Sequence, residues 1–149
     1  MSETEKAWLA GFVDGEGTIS LNKRERVYSH VYNLPSRISL VPKFQISSTD
    51  KETLLDIRRT LGFGSVTIVR RKRPNVRTGW IFSSQTRNDI LYILELIYPY
   101  LKLKKKHAEL LILYLKEHIF KAYVTDIEME IYYDLKELNR RGGEKNEIL

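Results

Sequence analysis

"WLAGFVDGEGTISL", residues Trp8–Leu21, starts as one kind of element and finishes as another. Ala7, Leu9, Ala10, Phe12 and Val13 recur at helical spacing, which predicts a helix over Glu3–Asp14 with Ser2 as its cap. From Thr18 the pattern alternates strictly. Ile19 and Leu21 fall on one side, and Thr18, Ser20, Asn22 and Arg24 on the other, so a strand is predicted over Thr18–Arg24. Two features at the junction are awkward. Gly11 and Gly15 lie one turn apart and leave one helix face bare. Glu16 then sets a carboxylate at the helix C-terminus, where the dipole is already negative.

Downstream, Glu25–Ser36 is polar and aromatic and reads as a long connection. Arg37–Ser47 alternates again, and Pro42 within it predicts an edge or bent strand. Thr49 or Asp50 can cap a helix whose stripe is Leu54, Leu55, Ile57 and Leu61, ended by Gly62. A hairpin is predicted from strands Ser65–Arg71 and Thr78–Gln85, and helices from Arg87–Ile97, Lys105–His118 and Asp126–Leu138. The tail from residue 139 to 149 reads as flexible, and the whole chain, 1–149, as one domain. The expected fold class is α+β: an αββαββα core with a four-stranded antiparallel sheet and C-terminal helices. Ile19, Leu21, Ile38, Leu40, Phe44, Val66, Ile68, Trp80 and Phe82 would face those helices, and the tyrosines on or beside the later helices would serve core and surface packing. The opposite face would carry Ser20, Asn22, Arg24, Arg37, Ser39, Lys43, Gln45, Thr67, Arg71 and Ser83.

Charge distribution gives that face a use. The chain carries a formal charge of +6, but residues 18–87 alone hold fourteen Lys or Arg against four acids. Basicity concentrated in one segment points to a polyanion. Side chains at every second position of a two-stranded ribbon can follow a DNA groove. Tyr28, His30 and Tyr32 in the long loop, and Arg73, Arg77 and Ile81 in or after the basic turn, join the candidate contacts. The chain has no Cys, which excludes disulfides and thiolate metal sites. No apolar run is long enough to span a bilayer, and the polar start lacks the pattern of a secretion signal, so no membrane association and an intracellular location are expected.

"LAGFVDGEG", Leu9–Gly17, resembles the motif of the LAGLIDADG homing endonucleases. It matches at Leu9, Ala10, Gly11, Asp14 and Gly17, with Glu16 replacing one acid by another. "PYLKLKKKHAEL", Pro99–Leu110, is similar to the lysine-bearing stretch that follows the third helix in compact homodimeric members. A single copy of the motif implies the homodimeric branch. By that resemblance, Gly11, Gly15, Ala10 and Asp14 would meet a second copy of the chain. Glu16, helped by the Gly15 carbonyl, would bind a metal beside the scissile phosphate, and Lys104 would be the second catalytic residue. Lys102 and Lys106 would contact the DNA backbone.

The resemblance further implies hydrolysis of double-stranded DNA at a long, roughly palindromic site, leaving short 3′ overhangs. Carboxylate ligands without Cys or His-rich spacing favour Mg²⁺, with Mn²⁺ a substitute and Ca²⁺ bound without cleavage. Two departures from the pattern stand out. Ser48 occupies the position where relatives often carry Gln to organise solvent, and Glu52 stands where an arginine sometimes occurs. Either solvent is organised differently here, or the missing role passes to Gln45 or a neighbouring basic residue. The same scaffold also suits an RNA-binding intron maturase or a DNA-binding regulator that does not cut.

Overall fold

A computed structural model describes residues 1–27, 30–31, 37–69, 74–117 and 123–143, with 141–143 by backbone alone. Helix α1 spans Glu3–Glu16. It opens with a reciprocal cap: Ser2 Oγ accepts from the Glu5 amide, and Glu5 accepts from the Ser2 amide. Strand β1 (Gly17–Arg26) follows with no intervening loop, and this is why position 17 is glycine. Its backbone is ordinary and extended, but a Cβ there would sit 2.6 Å from the Val13 carbonyl oxygen.

The remaining elements are β2 (Arg37–Ser48), α2 (Lys51–Leu61), β3 (Ser65–Val69), β4 (Gly79–Ser84), α3 (Arg87–Ile97), α4 (Lys105–Glu117) and α5 (Asp126–Gly143), with a short 3₁₀ turn at Tyr98–Tyr100. Helix α2 starts on Asp50, which accepts from the Glu52 amide and the Thr53 hydroxyl; these bonds hold its carboxyl below the usual value. It stops at Gly62, whose φ of 84° is the left-handed cap a helix end favours.

The four strands form one antiparallel sheet in the order β1-β2-β4-β3. Leu9, Ala10 and Val13 of α1 pack on Ile19, Leu21, Leu40, Phe44, Ile46 and Phe82 of the sheet; the stripes of α2 to α5 complete the core. Strand β2 is interior in this order, yet Pro42 costs the ladder little. At Pro42, β2 pairs only with β1, because its pairing with β4 begins at Phe44.

Three expectations are corrected. Ile38 and Ile68, placed in the covered face, are 44% and 48% exposed. Ile38 stands opposite Glu25 where the β1–β2 ribbon has run past the buried Leu21 and Leu40, and Ile68 belongs to the outer strand β3. Helix α5 does not fray at residue 139 but continues to Gly143. Asn139 donates to the Ile19 carbonyl at 3.2 Å, tying the helix to the open edge of β1, and Arg140 pairs with Glu137.

Candidate functional site

The uncovered face of the sheet is built in cross-strand rows. Thr18, Gln45, Ser83 and Ser65 stand side by side across all four strands. Ser47, Ile81 and Thr67 form the next row, and Ser20–Lys43, Arg24–Ser39 and Arg26–Arg37 continue outward along the β1–β2 ribbon, with Asn22 between the first two pairs. Asn22, Arg24, Arg37 and Thr67 are exposed, as are Arg77 and His30 in the connections. Ser20, Ser39, Lys43, Gln45 and Ile81 are half-buried between their neighbours. Ser83 is the exception among the expected contacts. Flanked by Gln45 and Ser65, it keeps only 9% of its surface and shares a hydroxyl hydrogen bond with Ser65, so it packs the face rather than projecting from it. Tyr28, Tyr32, Arg71 and Arg73 lie outside the described residues. Register adds Ser65, Ser47 and Arg26, which the sequence pattern did not single out; nor did it single out Gln85, which lines a groove of about 340 Å³ with Asn22, Arg24, Lys43 and Gln45.

At one end of the sheet, Glu16 enters a cleft of about 370 Å³ lined also by Phe12, Ser47, Ser48, Thr49, Trp80 and Ile81. The Glu16 side chain is exposed, and no hydrogen bond or ion pair holds it among the described residues. Ser48 Oγ accepts from the Asp50 amide at 3.0 Å, which leaves its hydroxyl proton available to the cleft. Glu52 is turned away along the outer side of α2, where Arg59 pairs with both Glu52 and Asp56.

Asp14 has a different place from the one expected at a subunit interface. Its carboxylate accepts from the amides of Lys102 at 2.8 Å and Lys104 at 2.9 Å, and its carbonyl accepts from Lys104 Nζ at 2.8 Å. A short acid in the last turn of the helix thus clasps the loop that bears the lysine. The ammonium in turn caps a main-chain oxygen at the negative pole of α1, offsetting the two acids there. Lys102 is exposed, and Lys106 pairs with Glu109 at 3.6 Å. Behind Lys104, His107 has a buried Nδ1 with no partner among the described residues. Burial first, and the Lys104 charge second, hold its pKa below the usual value.

Ala10 also requires correction as an interface residue. It is fully buried in its own protomer, because Leu9, Ala10 and Val13 form the inward stripe of α1. The opposite side presents Ala7, Gly11 and Gly15, all exposed, with open space where a Cβ on either glycine would lie. Trp8, 53% exposed and stacked on Phe12, borders this strip.

The donor set fits a hard divalent cation that keeps part of its hydration. Glu16 offers two unpaired carboxylate oxygens, and Gly15 offers a carbonyl in the last helical turn, where intrahelical partners run out. Among the described residues no group of three or more His, Asp or Glu side chains converges. No helix is long and apolar enough to cross a membrane.

This α+β arrangement, with its four-stranded antiparallel sheet, is the homing endonuclease fold. The structure aligns with the homing endonuclease I-TnaI at a TM-score of 0.61 and 20% identity, over 93% of this chain and 96% of that one. Residues 9–119 match the model of the LAGLIDADG endonuclease family, and the chain belongs to that family. It is 36% identical over 111 residues to DNA endonuclease I-CvuI of Chlorella vulgaris, covering 74% of this chain but 63% of that protein's length. Crystal structures of I-CvuI also align: one with its target in the presence of Ca, at a TM-score of 0.59 and 25% identity over 91% of this chain and 95% of that one. Another, on an I-CreI target left uncleaved in the presence of Mg, aligns at a TM-score of 0.62 and 24% identity over 95% of this chain and 81% of that one.

Proposed function

We propose that this chain is a homodimeric homing endonuclease that hydrolyses both strands of a long, roughly palindromic DNA target inside the cell, leaving short 3′ overhangs. The observation that carries this reading is the exposed, unpartnered Glu16 at the end of α1, beside a lysine clasped to the same helix turn. A carboxylate at a helix C-terminus is disfavoured by the dipole, and a bound cation would offset that cost. The bare strip of Ala7, Gly11 and Gly15 would let the α1 helix of a second copy approach closely, bringing two such acids together. Each protomer's open sheet face would then read one half-site.

Glu16 and the Gly15 carbonyl would hold Mg²⁺, with Mn²⁺ an active substitute and Ca²⁺ an inactive one. The metal supplies a more acidic bound water and charge stabilisation at the phosphate. Lys104, fixed by Asp14, places a positive charge at the same helix end and needs no reorganisation as charge builds. Ser48 donates its hydroxyl proton into the cleft and orients solvent there.

The test is a plasmid library of randomised sites incubated with purified protein and Mg²⁺. Recurrent linearisation at one site supports the reading. Tight, specific binding without scission points to a regulator, and selective retention of folded intron RNA to a maturase.

A further inference from the structure

We infer that Tyr114 is a positioning residue for sequence reading: its hydroxyl pins the outer part of the β1–β2 ribbon, whose side chains would meet the outer base pairs of each half-site. This rests on the nuclease reading above. Strand β2 pairs with β1 from Arg37 to Ile46, but with β4 only from Phe44 to Ser48. Between Arg37 and Lys43 one edge of β2 therefore has no strand beside it among the described residues. Tyr114, buried in the inward stripe of α4 with Ala108 and Leu111, donates its hydroxyl to the Leu40 carbonyl at 3.2 Å. A helix side chain thus bonds a stretch of backbone that β4 does not reach. On the other edge of the ribbon, Asn139 does the same for Ile19.

Core packing alone does not account for the hydroxyl. A phenylalanine would fill the same space, and a buried hydroxyl costs stability unless it finds an acceptor. The Arg87 guanidinium lies over the ring, 4.9 Å from its centre, and holds it in place. Burial raises the Tyr114 pKa above its ordinary value, so the oxygen stays protonated and remains a donor. What the bond fixes follows from the pleat. Leu40 is buried toward the helices, so Ser39 and Val41 on either side of it face the opposite way, Ser39 across from Arg24 and Val41 across from Asn22. These pairs lie toward the far end of a ribbon that runs roughly 30 Å from Gly17, next to Glu16, to Arg26. They are thus well removed from the proposed point of scission.

The experiment uses the full chain in two measurements. Tyr114→Phe is compared with Ile57→Val, a change of similar size in the buried stripe of α2, at the Glu16 end of the sheet. The first measurement is hydrogen exchange on the free protein. Amides of residues 38–41 should exchange about tenfold faster in Tyr114→Phe, the scale of one lost hydrogen bond, and at the parental rate in Ile57→Val. The second is site selection from the randomised plasmid library. Tyr114→Phe should keep the parental preference at the base pairs flanking the cut. Its discrimination at the outermost pairs of each half-site should fall about tenfold, within the span that one base pair commands. Ile57→Val should select the parental site throughout. Parental exchange at 38–41 in Tyr114→Phe, parental discrimination at the outer pairs, or an equal change in Ile57→Val would overturn the inference. A wild-type protein that selects no site fails earlier, on the nuclease reading itself, and hydrogen exchange still judges the pin alone.

Discussion

Removing the Asp14 carboxylate should loosen the loop that carries Lys104 before it affects anything else. Both oxygens are used, by the amides of Lys102 and Lys104 at 2.8 and 2.9 Å. Hydrogen bonds to a charged group are each worth about 1.5–3 kcal/mol, and the outer one is open to solvent, so Asp14→Ala should cost about 2–4 kcal/mol in total. Asp14→Asn retains one acceptor but turns an NH₂ group toward the second amide, and should cost about 1.5–3 kcal/mol. In urea this lowers the midpoint by about 1 M at a typical denaturant slope. Cleavage should fall further than stability implies, because displacing a catalytic group by about 1 Å can cost on the order of 100-fold. The assay pairs urea unfolding with single-turnover cleavage, each measured over a range of protein concentrations. If Asp14 served only a subunit contact, the loss would shrink as protein concentration rises. An Asp14→Asn protein with the parental midpoint and rate would refute the clasp.

Other outcomes follow from the same structure. Gly17→Ala drives a methyl group against the Val13 carbonyl at 2.6 Å and should lower stability by about 1–3 kcal/mol, read as a fall in the denaturation midpoint. His107 is held below its ordinary value of 6.5, so the unfolded chain binds its proton more readily. Stability should therefore be lost as pH falls from about 6.5 toward the lower folded value, and His107→Gln should flatten that part of the pH–stability curve. DNA affinity should fall steeply with salt, the log–log slope being about −0.9 per neutralised phosphate; Arg24→Ala or Lys43→Ala should each make it shallower by about one phosphate's worth.

Alternation and capping were enough to place most elements, since the sheet has one dry side and most helices open on a side-chain oxygen. What failed needed three-dimensional context. Ile38 alternates correctly, but alternation does not say how far the helices reach along a ribbon. The apolar residues of α1 wrap more than half of the helix, so spacing alone left Ala10 free to be assigned to the wrong side. Asp14 bonds to residues 88 and 90 positions away, a distance that no local pattern records. Ser65 and Ser47 join the open face only through strand register, and Gln85 only through the groove it lines.

The central claim concerns the Glu16 carboxylate, and replacing one oxygen by nitrogen tests it most directly. Glu16→Gln, assayed on the recovered duplex in Mg²⁺, should bind with parental affinity and cut neither strand. Strand scission at the parental rate by that protein would contradict the account.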